Sequence, residues 1–184
     1  MLRRTLPVVS FWLCASIASA QTLTVAGGKT VRANSTRHDS YRAEMNFPWK
    51  PDAWDEGQWA LSVNNTLSAM VFRDRNTVSA ISVAPNIVLE MRGHHGLVPY
   101  LQLGFGVAYL SDDTLESEPK KHPMYQLDGT TDMGSHWQFE SSFAVGLKTG
   151  RVGVRAKIYH YSNAELSSEN DGIDVAELGL SYSF

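Results

Sequence analysis

Three residues near the C-terminus have the types and the spacing for acyl-transfer chemistry: His160, Ser162 and Asp174. A serine hydroxyl is a competent nucleophile only when a base takes its proton. The base in turn needs a carboxylate to fix its tautomer and steady the imidazolium. Residues i and i+2 of an extended strand stand side by side on one face, so His160 and Ser162 are neighbours if their segment is a strand. Asp174 follows a polar stretch, Asn163 to Gly172, and would return alongside them on the next strand. Ser, His and Asp are also ordinary residues near loops. Spacing alone leaves open a polar rim with no chemistry.

The elements that must hold these residues are read from a period of two. Leu101, Leu103, Phe105, Val107 and Tyr109 share one parity, with Gln102, Gly104, Gly106 and Ala108 on the other. Trp137, Phe139, Ser141, Phe143, Val145 and Leu147 alternate with Gln138, Glu140, Ser142, Ala144 and Gly146. Ile81, Val83, Pro85, Ile87, Leu89 and Met91 alternate with Ala80, Ser82, Ala84, Asn86 and Glu90. Such alternation argues for strands with one apolar face.

Soluble sandwiches alternate too, so length and composition decide. The runs Leu97–Tyr109 and His136–Lys148 are far longer than the roughly 5–6 residues of a soluble strand and suit the roughly 9–11 of a tilted membrane-crossing strand. The polar parity mixes small residues with Glu, Arg and Lys, as a narrow, side-chain-filled interior requires. Aromatics gather at strand ends, with Trp49, Trp54 and Trp59 at one and Tyr109, Trp137, Tyr159 and Tyr161 at the other, in the manner of interfacial girdles. The final Leu180-Ser181-Tyr182-Ser183-Phe184 resembles the C-terminal signal of bacterial outer-membrane proteins.

The predicted fold is all-β, an eight-stranded antiparallel transmembrane β-barrel over residues 21–184. Its strands fall near 22–32, 38–48, 57–71, 76–91, 97–111, 135–148, 151–162 and 173–184. Gly27-Gly28 and Asn34-Ser35 interrupt a weak pattern in the first two. Eight strands enclose a packed interior without a channel, and an even count places both termini in the periplasm. The connections 49–56, Gly93–Gly96 and Thr149-Gly150 are then periplasmic turns, and 112–134 and 163–172 are external loops. Arg155 and Lys157 share a parity, and a cation on the lipid side costs about 2–4 kcal/mol at mid-bilayer. They therefore belong in the lumen, which turns His160 and Ser162 outward near the external rim. On the next strand Asp174 shares the outward face and Glu177 falls in the lumen.

Residues 1–20 read as a secretory signal peptide: Arg3-Arg4, an apolar run from Leu6 to Ala15, and Ala18-Ser19-Ala20 before Gln21. Cys14 is the one cysteine, so the mature chain has no thiol for disulfides, cysteine nucleophiles or thiolate metal sites. A net charge of −3 gives no basic surface for nucleic acid.

Several other motifs carry little. His94-His95 near Glu90 could suggest a metal, but adjacent strand residues point to opposite faces and Gly93 and Gly96 mark a turn. Gly104-Phe105-Gly106 lacks the strand-to-helix transition of a phosphate loop. Asn64-Asn65-Thr66 matches a glycosylation acceptor by pattern only and reads as lumen lining. The charges of 112–121 form a solvated loop in which Lys120 and Lys121 could meet lipopolysaccharide phosphates.

The segment Val152–Asp174, with its His-Tyr-Ser-Asn-Ala core and Asn-Asp-Gly-Ile turn, resembles the lipid A 3-O-deacylase (PagL) family. Weaker similarity runs back through Ala84-Pro85, Phe105-Gly106-Val107-Ala108 and Gly146-Leu147-Lys148. The resemblance implies an outer-membrane barrel that hydrolyses the ester-linked 3-hydroxyacyl chain at position 3 of lipid A and releases a 3-hydroxy fatty acid. Its active site would face the outer leaflet. It implies Ser162 as nucleophile, His160 as base and Asn163 at the oxyanion hole, with no metal or cofactor. The family's acid is typically Glu where Asp174 stands, and a Gly of relatives is replaced here by Glu165. Expected partners are lipopolysaccharide and the bilayer, with a homodimer left open. Two rival readings fit the same strands: a non-enzymatic small barrel for adhesion or membrane integrity, and a barrel esterase or phospholipase acting on other lipids.

Overall fold

The structure, a computed structural model, describes residues 22–31, 38–92, 96–118, 120–122, 125–127 and 129–184. The signal peptide, Asn34-Ser35, His94-His95 and the side chains of Lys120 and Lys121 lie outside the described residues.

Alternation becomes a closed sheet. The strands are β1 (Thr22–Thr30), β2 (Asp39–Glu56), β3 (Trp59–Arg73), β4 (Thr77–Met91), β5 (Leu97–Leu110), β6 (Thr114–Glu116), β7 (Lys120–His122), β8 (Tyr125–Leu127), β9 (Thr130–Asp132), β10 (Trp137–Thr149), β11 (Val152–Ser162) and β12 (Ile173–Ser183). Eight of them close a barrel in the order β1-β12-β11-β10-β5-β4-β3-β2, every pair antiparallel. Closure leaves no strand edge unpaired, which a sheet surrounded by hydrocarbon requires. The four short strands pair as β6 with β9 and β7 with β8, building two hairpins within the expected external loop 112–134. Thr22 and Ser183, paired at the start of β1 and the end of β12, lie at the same end of the barrel as the turns 57–58 and 150–151, and the longer loops 111–136 and 163–172 lie at the other.

Each wall has two chemistries. Outward residues such as Ile81, Val83, Leu103, Phe105, Val145, Ile158 and Leu180 are large, apolar and exposed. Inward residues are small, charged or, as with Phe72, Leu110, Tyr159 and Tyr161, large and fully buried. Arg42, Arg155 and Lys157 meet Glu44 and Glu140 in the lumen: Arg42 Nη2 lies 2.6 Å from Glu140 Oε1, Arg155 Nη2 2.6 Å from Glu44 Oε2, and Lys157 Nζ 2.9 Å from Glu44 Oε1. Glu177 accepts hydrogen bonds from Ser40 Oγ at 2.6 Å and Tyr159 OH at 3.0 Å. Three cations thus share two carboxylates while two hydroxyls serve the third, so each buried charge has a partner, the condition under which it is tolerable. Gly28 of β1 faces Glu177, and a Cβ there would sit 2.0 Å from the Ala176 carbonyl oxygen. The glycine that weakened the sequence pattern is the one that makes room.

Two expectations are corrected. Residues 49–56 are not a turn: β2 continues through them to Glu56, and the connection shrinks to Gly57-Gln58. Pro48 and Pro51 hid the strand, since proline cannot donate to a ladder. Register shifts between Pro48 and Lys50, and between Lys50 and Trp54, accommodate them as bulges. Tyr159 and Tyr161 are not part of an aromatic girdle either. Both are buried in the lumen, whereas Tyr109 and Trp137 do face outward.

Candidate active site

β11 supplies two of the residues and β12 the third. Val152, Val154, Ala156 and Ile158 are exposed while Gly153, Arg155, Lys157, Tyr159 and Tyr161 are buried, so the parity continues outward through His160 and Ser162. The lumen anchors this strand from behind. Tyr161 OH donates to Glu140 Oε2 at 2.7 Å, and Arg42 Nη1 donates to Tyr161 OH at 3.3 Å. With its inward residues fastened, the strand presents its outward residues in a fixed frame.

Antiparallel register sets the neighbours. His160 lies across from Asp174 on β12 and from Ser141 on β10, and Ser141 lies across from Phe105 on β5. One row therefore reads Phe105, Ser141, His160, Asp174 around the outer wall. The row above it, toward the longer loops, contains Val107, Phe139 and Ser162. His160 Nδ1 is 2.7 Å from Asp174 Oδ1, and the two side chains are 40% and 36% exposed. A carboxylate on Nδ1 makes that nitrogen the N–H donor and leaves Nε2 as the proton acceptor. His160 and Ser162 line a shallow recess of about 220 Å³ together with Phe105, Phe139, Ser141 and Ala164. The rings of Phe105 and Phe139 stack at 6.0 Å and 13°. The imidazole is hydrogen-bonded to Asp174, and no hydrogen bond joins it to Ser162 in this structure.

Asn163 is turned the other way. Its side chain is buried, and Nδ2 donates to the carbonyls of Met133 at 2.9 Å and Glu169 at 2.6 Å. Its backbone N–H donates to Asn170 Oδ1 at 3.1 Å. Asn163 therefore braces the 163–172 loop against the loop that precedes β10. Gly134 makes this docking possible: its φ is +65°, and a Cβ there would lie 2.0 Å from the Glu169 carbonyl oxygen. Directly after Asn163, Ala164 and Glu165 have φ of 54° and 62°, two successive non-glycine residues in the left-handed region. This sharp turn sits immediately beyond Ser162. The Ala164 and Glu165 N–H groups have no hydrogen-bond partner among the described residues.

Ser141, Phe105 and Phe139 were visible only as members of outward-facing strands, because their place beside His160 depends on register between strands. Gly134 and Met133 gave no signal: they lie in a loop, and their contacts with Asn163 are tertiary.

A family model described as Lipid A 3-O-deacylase (PagL) matches residues 39–183. The chain is 29% identical over 168 residues to Lipid A deacylase PagL of Pseudomonas aeruginosa, an alignment covering 88% of this chain and 87% of that one. Among solved structures it superposes on the outer membrane enzyme PagL with a TM-score of 0.73 at 24% identity, covering 89% of this chain and 99% of the other. It superposes on Neisserial surface protein A (NspA) with a TM-score of 0.53 at 10% identity, covering 89% and 95%. At these identities the superpositions speak to the fold.

Proposed function

The chain belongs to the lipid A 3-O-deacylase (PagL) family, and from that premise we propose that it hydrolyses the ester of the 3-hydroxyacyl chain at position 3 of lipid A, with Ser162 as nucleophile, His160 as base and Asp174 as the carboxylate behind it. The observation that carries the residue assignment is the 2.7 Å hydrogen bond between His160 and Asp174 on the outward face, two residues from Ser162. A lipid-facing site suits a substrate whose acyl chains are themselves part of the outer leaflet.

His160 Nε2 takes the proton of Ser162 Oγ as the oxygen attacks the ester carbonyl carbon. The tetrahedral intermediate collapses, the C–O bond to the glucosamine 3-oxygen breaks, and His160 returns the proton to that oxygen. Water, deprotonated by the same imidazole, then attacks the acyl-serine. The 3-hydroxy fatty acid leaves and Ser162 regains its proton. Asp174 stabilises the imidazolium and does not itself take the proton. The missing hydrogen bond between Ser162 and His160 is compatible with this scheme, since catalytic hydrogen bonds often tighten only with substrate bound.

The backbone N–H groups of Ala164 and Glu165 are the better candidates for the oxyanion, since the donors of Asn163 are occupied within the loop. Asn163 serves instead by holding the turn that carries them. Asp for Glu shortens the acid by one methylene, and the register places Asp174 directly opposite His160, so the shorter side chain reaches.

The test is to incubate purified lipopolysaccharide with the wild-type protein and with Ser162→Ala, and to measure free 3-hydroxy fatty acid by mass spectrometry. Release by the wild type alone supports the reading. Equal spectra for the two proteins sink it, and release of unsubstituted fatty acid from glycerolipid would indicate a phospholipase.

A further inference from the structure

We propose that Ser141 is a specificity-determining residue whose hydroxyl hydrogen-bonds the 3-hydroxyl of the scissile acyl chain; this rests on the deacylase reading above and adds the feature of the chain that is recognised.

Ser141 is out of character with its surroundings. It faces outward on β10 between Phe139 and Phe143, and the next outward residues, Val145 and Leu147, are apolar until Thr149 at the turn. Its side chain is exposed, and its hydroxyl has no hydrogen-bond partner among the described residues. Its cross-strand neighbour His160 is hydrogen-bonded to Asp174 and not to Ser141, so this outward hydroxyl, costly to leave unpaired on the lipid side, is free to meet a polar group of a bound molecule. Below the row of Ser141, His160 and Asp174, the outward residues Leu103, Phe143, Ile158 and Ala176 offer none.

The depth of Ser141 fits one particular group. β11 runs from the turn end to the loop end, so Ser162 stands one row nearer the loops than His160 and Ser141. An acyl chain whose carbonyl sits at Ser162 and whose tail enters the leaflet passes the next row first. Two residues of strand advance roughly 6.6 Å along the strand, and a tilt of about 35–45° reduces this to about 5 Å along the membrane normal. The oxygen on the third acyl carbon is three bonds from the carbonyl carbon, at about 1.5 Å a bond, and a hydroxyl–hydroxyl hydrogen bond spans about 2.8 Å. The 3-hydroxyl therefore falls within reach of Ser141 Oγ, with Phe105 and Phe139 walling the same recess. A chain without that hydroxyl leaves Ser141 unpaired.

The rival explanation is that a small residue is needed opposite His160 simply to leave the imidazole room. Ser141→Ala separates the two, since alanine preserves the room and removes only the hydroxyl. Full-length protein in detergent, its folding checked by the mobility difference between unheated and boiled samples, is given lipid A carrying either a 3-hydroxyacyl or an unsubstituted acyl chain of equal length at position 3. The expected result for Ser141→Ala is a fall of about three- to tenfold in the preference, the ratio of kcat/KM on the 3-hydroxyacyl substrate to that on the unsubstituted one. An unchanged ratio between the two substrates overturns the proposal, whether both rates fall or neither does. A wild-type protein that releases neither acid overturns the deacylase reading itself, and is recognised because it precedes any comparison of variants.

Discussion

Asp174 stands directly across from His160 in the β11–β12 register, and its Oδ1 lies 2.7 Å from the imidazole Nδ1. The hydrogen bond orients the ring so that Nδ1 is spent on the carboxylate and Nε2 is left as the free ring nitrogen. It is made on the barrel's outer wall, where both side chains remain only partly covered. Asp174→Asn should therefore preserve the contact while favouring the wrong tautomer, lowering kcat by about 10³–10⁴-fold. Asp174→Glu should retain activity, because the family's usual acid is accommodated by a small shift of the longer chain. Release of 3-hydroxy fatty acid over time measures both. An Asp174→Asn protein as fast as the wild type would remove Asp174 from the mechanism.

Glu177, three residues further along β12, should behave in the opposite way. Its carboxylate accepts from Ser40 and Tyr159 inside the lumen, so Glu177→Gln disturbs a buried network and not the outer face. A loss of about 1–3 kcal/mol in stability is expected, seen as a lower temperature for the unheated-to-boiled mobility shift. The turnover of protein that remains folded should stay within a few-fold of wild type. Abolished turnover with unchanged melting would show that the lumen carboxylate serves the reaction.

Asn163→Ala should act through the loop. It removes the donors to Met133 and Glu169 carbonyls, and buried acceptors left unpaired cost about 1–3 kcal/mol. Limited proteolysis should cut between residues 163 and 172 faster than in the wild type, with a parallel fall in kcat. If activity vanished while the cleavage rate stayed the same, the Asn163 amide would have to contact the reacting group directly.

His38 gives the loop end a pH dependence of known sign. It is buried, Nε2 donates to the Glu116 carbonyl at 2.9 Å, and burial holds its pKa below the ordinary value of 6.5 despite the opposing pull of Asp74 and Asp39. Above about 6.5 both folded and unfolded chains hold a neutral imidazole. Below it the unfolded chain takes up a proton that the folded one resists, so stability falls with pH until the folded pKa is passed. Between pH 7.5 and 5 the wild type should lose more thermal stability than His38→Gln. Parallel pH profiles for the two proteins would refute this.

The wall of the barrel was legible because β4, β5 and β10 each combine a strict alternation with a length of 13 to 15 residues, beyond what a soluble strand usually needs. The same alternation, extended past Arg155 and Lys157, is enough to turn His160 and Ser162 outward and Glu177 inward. The end of β2 was illegible because its prolines and bulges break the period from which strands are read. The orientation of Asn163 was illegible for a different reason. It lies just beyond the last alternating residue of β11, where a turn with two positive φ values sets side-chain direction and parity says nothing. The row of Ser141, His160 and Asp174 needed register, which period fixes only to within a multiple of two.

Tyr159 and Tyr161 alternate with His160 along one strand, and each is tied by its hydroxyl to a carboxylate on another stave of the barrel. A shift of the backbone that would misalign the outer residues must first tear these inner moorings loose. The outer residues of this strand are therefore held in place from behind, by contacts they do not themselves make. Control over such a surface passes to the surrounding fluid: to which molecules drift sideways against this sector of the wall, and how long each stays.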